Sequence, residues 1–282
     1  MKKPVWLNKK INFSDCSKLK KTLREFELHT VCEESMCPNI SECFSLGIAA
    51  FIILGDTCTR NCSFCAINKG QPQMVDEKEA VRLKEAVKCL GLDYIVITSP
   101  TRDDLEDGGL GMFLAAVDSI KSLGSGKKVE VLVPDFLGKE DLISKLSTSN
   151  ADVIAHNLET VPTLYPYVRN GSDYKRSLKL LEKVKLLNNK IYTKSGIMLG
   201  LGEKEEQIIN VMKDLINVGC DFFTLGQYLQ PSLNHYPVKK YVKPEEFILF
   251  KQIALELGFK KVKTGAYVRS SYKAADFLIN ET

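Results

Sequence analysis

The 282-residue chain has no apolar stretch approaching the roughly eighteen residues that span a bilayer, which argues against a membrane-crossing helix. It opens with no leader of basic head, apolar centre and small-residue cleavage site, so secretion is not expected. The net charge of +4 is too mild for nucleic-acid binding, which calls for a basic stripe with stacking aromatics. The glycines at 196, 200 and 202 do not form a G-x-G-x-x-G turn with a downstream acid, so a dinucleotide-phosphate cradle is a weak reading. Nine cysteines, an odd number with six gathered in two short clusters, make a poor disulfide framework and fit a reduced compartment. The expectation is a soluble, cytoplasmic protein with no membrane and no nucleic-acid partner.

What the chain does have is Cys58-Thr59-Arg60-Asn61-Cys62-Ser63-Phe64-Cys65, directly after an apolar run at 51–54 and Gly55. Three thiolates on one short loop can hold three irons of a [4Fe-4S] cluster, because soft sulfur suits iron–sulfur centres. The fourth iron is then open to a small molecule. Zinc is the alternative, but zinc sites usually close with four ligands and no further Cys or His follows closely. The spacing resembles the signature of radical S-adenosylmethionine (SAM) enzymes, in which the amino and carboxylate groups of SAM chelate the open iron. Another trio, earlier in the chain, is Cys32, Cys37 and Cys43, with gaps of four and five residues. Alone it is a weaker signal, since three cysteines can bind zinc with a distant partner. Two half-complete sites so close together favour a two-cluster enzyme. Cys89 and Cys220 fall on or beside apolar helical faces and are expected to be core thiols, while Cys16 is undetermined.

From residue 51 the pattern alternates. Short Val- and Ile-rich runs at 51–54, 94–98, 128–133, 153–156, 191–198 and 222–225 predict strands. Amphipathic stretches at 76–90, 109–123, 139–146, 173–187, 203–218 and 244–257 predict helices, with Gly91, Gly124, Gly219 and Gly258 as stops. Such β–α units imply a parallel sheet with right-handed crossovers. Six are too few to close an eight-fold barrel, so the α/β fold expected is a partial (β/α)6 TIM-type barrel with N-terminal and C-terminal extensions. A lateral gap would admit a bulky substrate. A doubly wound sheet is the rival topology. The domain reading is an extension with the first cysteine trio at 1–46, the partial barrel at 47–258 and a further extension at 259–282.

In either topology functional residues belong at the carboxyl ends of strands. That rule selects the cysteine loop, Thr98 and Ser99, Pro134-Asp135, and His156-Asn157-Leu158-Glu159. Asn157 and Glu159 offer donors and acceptors for a ribose or for their own loop backbone. Gly200 is expected to let the backbone approach adenine. SAM contacts are therefore expected from Thr98, Ser99, Asn157, Glu159 and Gly200. His156 reads as structural. Arg102-Asp103-Asp104 suits either the amino-acid end of SAM or loop salt bridges.

Across nearly its whole length the chain resembles the lipoyl synthases. Both cysteine trios match, as do Arg102-Asp103-Asp104-Leu105, Pro134-Asp135-Phe136, His156-Asn157-Leu158-Glu159-Thr160-Val161, Lys194-Ser195-Gly196, Tyr228-Leu229-Gln230-Pro231 and Arg269-Ser270-Ser271-Tyr272. Lys273 stands where many members have histidine. The resemblance implies two [4Fe-4S] clusters, a reducing one on Cys58, Cys62 and Cys65 and an auxiliary one on Cys32, Cys37 and Cys43. It puts the fourth auxiliary ligand on Ser271, with Ser270 as fallback. It implies radical-mediated insertion of two sulfur atoms at carbons six and eight of a protein-bound octanoyl group, with SAM generating the radical and the auxiliary cluster donating the sulfur. The implied partners are octanoylated lipoyl-carrier domains, an electron donor such as flavodoxin or ferredoxin, and an iron–sulfur carrier that rebuilds the spent cluster. Basic residues such as Lys9-Lys10 or Lys239-Lys240 are candidates for docking a carrier. The competing readings are an enzyme similar to biotin synthase, which would not need Cys32 or Ser271, a two-cluster electron-transfer protein, and a zinc-stabilised module.

Overall fold

The computed structural model describes residues 3–8 and 17–278; Lys9, Lys10 and Cys16 lie outside them. Helix α1 (Ser17–Glu25) leads to a two-residue strand, β1 (His29–Thr30). The first cysteine trio follows on two short helices, α2 (Val31–Glu34) and α3 (Ile40–Ser45). Thr30 caps α2, its Oγ1 accepting the Glu33 amide at 3.3 Å. The chain then enters β2 (Ala50–Ile52), and the second trio hangs on a loop with a small ladder of β3 (Thr57–Cys58) and β4 (Asn68–Lys69). Helix and strand alternate from there: α4 (Glu79–Leu90), β5 (Tyr94–Thr98), α5 (Leu110–Lys121), β6 (Lys128–Leu132), α6 (Glu140–Ser147) and β7 (Val153–Ala155). After β7 come α7 (Tyr165–Val168), α8 (Tyr174–Leu187), β8 (Tyr192–Leu199), α9 (Glu205–Asn217), β9 (Phe222–Gln227), α10 (Pro244–Glu256) and β10 (Lys261–Gly265).

All six expected strands and all six expected helices form, with edges displaced by three residues or fewer. Local chemistry sets the ends. Gly91 stops α4 in the left-handed region at φ 66°. Pro244 opens α10, where the Glu246 carboxylate accepts the Lys243 amide at 3.0 Å.

The strands order β1-β2-β5-β6-β7-β8-β9-β10, with every pair parallel except β1 on β2. A doubly wound sheet would reverse its order at a switch point. None occurs, so the sheet is a barrel wall laid down in sequence and left open between β1 and β10. It is one parallel strand wider than expected, because β10 pairs with β9 from Lys261↔Phe222 to Gly265↔Gly226. The open edges are joined by side chains: the Tyr267 hydroxyl donates to the Leu7 carbonyl and Asn39 Nδ2 to the Tyr267 carbonyl at 2.6 Å.

One large apolar cluster lines both faces of the wall and includes Leu19, Leu23, Leu28 and Phe44 from the amino-terminal segment. Cys220 is buried in it, which pushes its thiol up to about 12. Cys89 is not a core thiol. The buried face of α4 carries Ala80, Leu83, Ala86 and Val87, and Cys89 falls on the opposite, exposed side. Among the described residues no helix is long and apolar enough to cross a membrane.

Candidate active site

The Cys58 loop is fixed at several points before any ligand binds. Leu54 and Gly55, at φ 68° and 83°, turn the chain out of β2, and the Leu54 amide donates to the buried Glu79 carboxylate at 2.7 Å. Arg102 is buried beneath this turn, donating to the Leu54 carbonyl at 3.2 Å and the Gln73 carbonyl at 3.1 Å while pairing with Asp104 at 2.8 Å. Arg60, between the first two cysteines of the loop, meets Asp103 at 2.7 Å and Asp135 at 2.6 Å, and Asp135 also takes Arg176 at 2.8 Å. Burial alone would raise the Asp135 carboxyl; the Arg60 hydrogen bond and charge, with His156 and Arg176, outweigh it and hold Asp135 below the usual carboxylate range. Arg102, Asp103 and Asp104 are therefore loop salt bridges. Cys58 Sγ accepts the amides of Thr101 at 3.3 Å and Arg60 at 3.4 Å, which fixes where the sulfur points.

Cys58, Cys62 and Cys65 open on a cavity of about 200 Å³ whose walls include Thr98, Ser99, Asn157, Glu159, His156 and Arg169. Four of the five expected SAM contacts thus lie together at the carboxyl ends of β5 and β7. Gly200 does not. At φ 100° it passes so close to Gln227 and the Lys240 carbonyl that a Cβ would sit 2.3 and 2.4 Å from them, so its missing side chain serves packing within the protein. Glu159 adopts φ 64°, unusual for a non-glycine residue, and Asn157 Nδ2 donates to its Oε1 at 3.0 Å. Burial raises the Glu159 carboxyl against the pull of Arg169 and Arg269.

His156 is structural, as its sequence context suggested. Its Nδ1 donates to the Val133 carbonyl at 2.8 Å, leaving Nε2 to face Ser177 Oγ at 3.0 Å and Arg169 at 3.4 Å. Burial and the Arg169 charge lower its pKa to about 4 from 6.5. Between those values the unfolded chain binds a proton that the folded chain refuses, so stability falls as pH drops from 6.5 to 4. The expected loss is about 3 kcal/mol, at about 1.4 kcal/mol per pH unit. Urea midpoints across that window should show this slope, and His156→Gln should flatten it.

A second cavity, of about 380 Å³, adjoins the first and shares Cys65, Phe64, Ile67, Leu132, Asn157 and Glu159 with it. Cys32, Cys37, Ser270 and Ser271 line its far side. Cys43 is buried on α3 but lines neither cavity. The serines are held against the first trio from both flanks. Asn39, between Cys37 and Cys43, binds the Tyr267 carbonyl, and Glu42 accepts the Tyr272 hydroxyl at 2.7 Å. Ser270 Oγ donates to Asn157 Oδ1 at 3.2 Å. Lys240, one of the docking candidates, already pairs with Glu246, and Lys239 lies over the Tyr236 ring.

The donor set suits iron–sulfur clusters. All six cysteines are free thiols, and burial pushes Cys32 and Cys65 up to about 12 and raises Cys62. A thiol that resists ionising alone becomes a thiolate when a metal replaces its proton. Three thiolates leave an iron–sulfur core anionic, and each trio has a guanidinium acting on it, Arg169 and Arg60 on Cys62, Arg269 on Cys37. Among the described residues no three His, Cys, Asp or Glu side chains converge as a lone metal ion requires. The sequence reading does not single out Arg169, and it names Arg60 and Arg269 only as members of their motifs, with no charge role. Arg60 carries a signal as a charge between two cysteines with Asp135 at the end of a nearby strand, and Arg269 as the residue beside the two serines.

The sequence model described as the Radical SAM superfamily matches residues 52–215. SuiB of Streptococcus suis, solved bound to S-adenosylmethionine, shares the fold at TM-score 0.61 and 16% identity, over 81% of this chain and 54% of that one. Methylornithine synthase (PylB) does so at TM-score 0.56 and 16% identity, over 75% and 69%. An open barrel with a three-cysteine loop at its mouth is thus a radical SAM enzyme. The lipoyl synthases of Caldicellulosiruptor saccharolyticus and Aquifex aeolicus are 52% and 51% identical to the chain, over 98% and 99% of it and 97% and 100% of their own lengths. Within the superfamily the chain belongs to the lipoyl synthase family.

Proposed function

We propose that the chain binds two [4Fe-4S] clusters and inserts two sulfur atoms into a protein-bound octanoyl group. The single observation that carries this reading is the common wall: Cys65, Asn157 and Glu159 face both cavities, one holding the Cys58 trio and the other the Cys32 and Cys37 thiols with the two serines. Cys58, Cys62 and Cys65 hold the reducing cluster; Cys32, Cys37 and Cys43 hold the auxiliary one, with Ser271 as the fourth ligand. When bound, the first supplies one electron that splits SAM into methionine and a 5′-deoxyadenosyl radical, and the second supplies the sulfur.

Unactivated C–H bonds have no acidic proton, so no side chain here need act as a general base. The residues position and shield. Thr98, Ser99, Asn157 and Glu159 hold SAM in the smaller cavity, where the amide and carboxylate suit ribose hydroxyls. The larger cavity takes the acyl chain between Val31, Met36, Ile197 and Met198, apolar walls that exclude water from a carbon radical. An oxygen ligand from Ser271 is harder than sulfur and binds iron more weakly, which suits a cluster that gives up its atoms. The partners are octanoylated lipoyl-carrier domains, a low-potential electron donor and an iron–sulfur carrier, in the cytoplasm.

The test is anaerobic turnover of the reduced, reconstituted chain with SAM and an octanoylated carrier domain. The expected result is lipoyl-carrier with about two 5′-deoxyadenosines per product, one for each C–H bond opened. Steady SAM cleavage without any sulfur on the carrier would overturn the reading.

A further inference from the structure

At the foot of the barrel, away from both cysteine trios, lies a set of buried groups that neither cavity uses. Lys194 on β8 and Glu130 on β6 are fully buried and paired at 2.7 and 3.0 Å, and the Tyr94 hydroxyl donates to the same carboxylate at 2.6 Å. One residue beyond β10 reaches this place. A 3-10 turn, Ala274–Phe277, seats Phe277 at 3% exposure against Val153 and Phe222, the first residues of β7 and β9. The Phe277 and Phe222 rings are 5.1 Å apart, and Lys194 Nζ lies 4.4 Å from the Phe277 centroid. Lys263 on β10 pairs with Asp276 at 2.7 Å, and Lys261 donates to the Asp276 carbonyl at 2.9 Å.

The other end of the same short segment carries Ser270 and Ser271 to the larger cavity. Phe277 lies six positions after Ser271, a span of at most about 20 Å, so the two ends cannot move independently by much. We propose that Phe277 is a positioning residue: seated at the foot of the barrel, it fixes how far Ser270 and Ser271 reach into the cavity at the top. The consequence for a cluster rests on the reading of Ser271 as its ligand; the seating itself does not.

The experiment uses the full chain with Phe277→Ala, and with Asp276→Asn as a milder variant that keeps the ring in place. In the metal-free protein, hydrogen exchange is read at the Tyr272 amide, which donates to the Arg269 carbonyl at 3.0 Å. Exchange there should quicken at least about tenfold in Phe277→Ala and less in Asp276→Asn, with Phe277→Leu restoring most of the protection. Unchanged exchange in Phe277→Ala overturns the proposal. In the reconstituted protein, Phe277→Ala should reproduce the auxiliary-cluster spectrum of Ser271→Ala while SAM cleavage stays at the wild-type rate. If Ser271→Ala alters that spectrum and Phe277→Ala does not, the proposal is also overturned. If Ser271→Ala alters nothing but exchange quickens, the seating stands and it is the ligand reading of Ser271 that fails.

Discussion

Replacing Cys32, Cys37 and Cys43 together by alanine is expected to split the activity in two. The reduced variant should still cleave SAM, within about twofold of the wild-type rate as befits a site that shares no ligand with the first trio. Lipoyl formation should fall to background. The structural reason is that the Cys58 loop has its own anchors, Arg60 on Asp103 and Asp135 and Arg102 beneath Leu54, none of which belongs to the amino-terminal segment. Alanine at Cys58, Cys62 and Cys65 should instead stop both reactions. Measured 5′-deoxyadenosine and carrier-bound sulfur decide the matter; sulfur insertion surviving in the amino-terminal variant would remove the auxiliary site from the mechanism. Cys32 and Cys43 are buried, so thermal unfolding of the variant should accompany the assay.

The second large effect concerns stability. Lys194→Met would leave Glu130 fully buried without its cation, held only by the Tyr94 hydroxyl. Removing one partner of a buried pair costs about 3–5 kcal/mol, whereas replacing both with neutral groups is often close to neutral. Urea unfolding should therefore show Lys194→Met far less stable than wild type and the double variant Lys194→Met, Glu130→Gln recovering most of the loss. A single variant within about 1 kcal/mol of wild type would mean that the Lys194–Glu130 pair does not carry the stability assigned to it.

The barrel was legible because its strands are apolar on both faces and its helices amphipathic, two periods that differ plainly along the sequence. Sequence could not order the strands. The rival doubly wound sheet fell only to the pairing of β2 with β5 and of each later strand with its successor. The amino-terminal segment showed no period because its elements, β1, α2 and α3, are two, four and six residues long, too short to display one. Cys89 was misplaced for a related reason: one turn of α4 decides which side faces the core, and two residues past Val87 the helix has turned away. Gly200 approaches Gln227 at the end of the neighbouring strand β9, a contact that the local sequence around the glycine does not display. The cysteines were legible from spacing, but which arginine faces which cysteine was not, since Arg169 and Arg269 come from distant turns.

The central claim is that one chain holds two separate [4Fe-4S] clusters at adjoining cavities. Anaerobic reconstitution followed by iron and sulfide counting tests it most directly. Two cubanes predict about eight of each per wild-type chain and about four in either triple-alanine variant, on the usual stoichiometry; about four of each in the wild-type protein would contradict it.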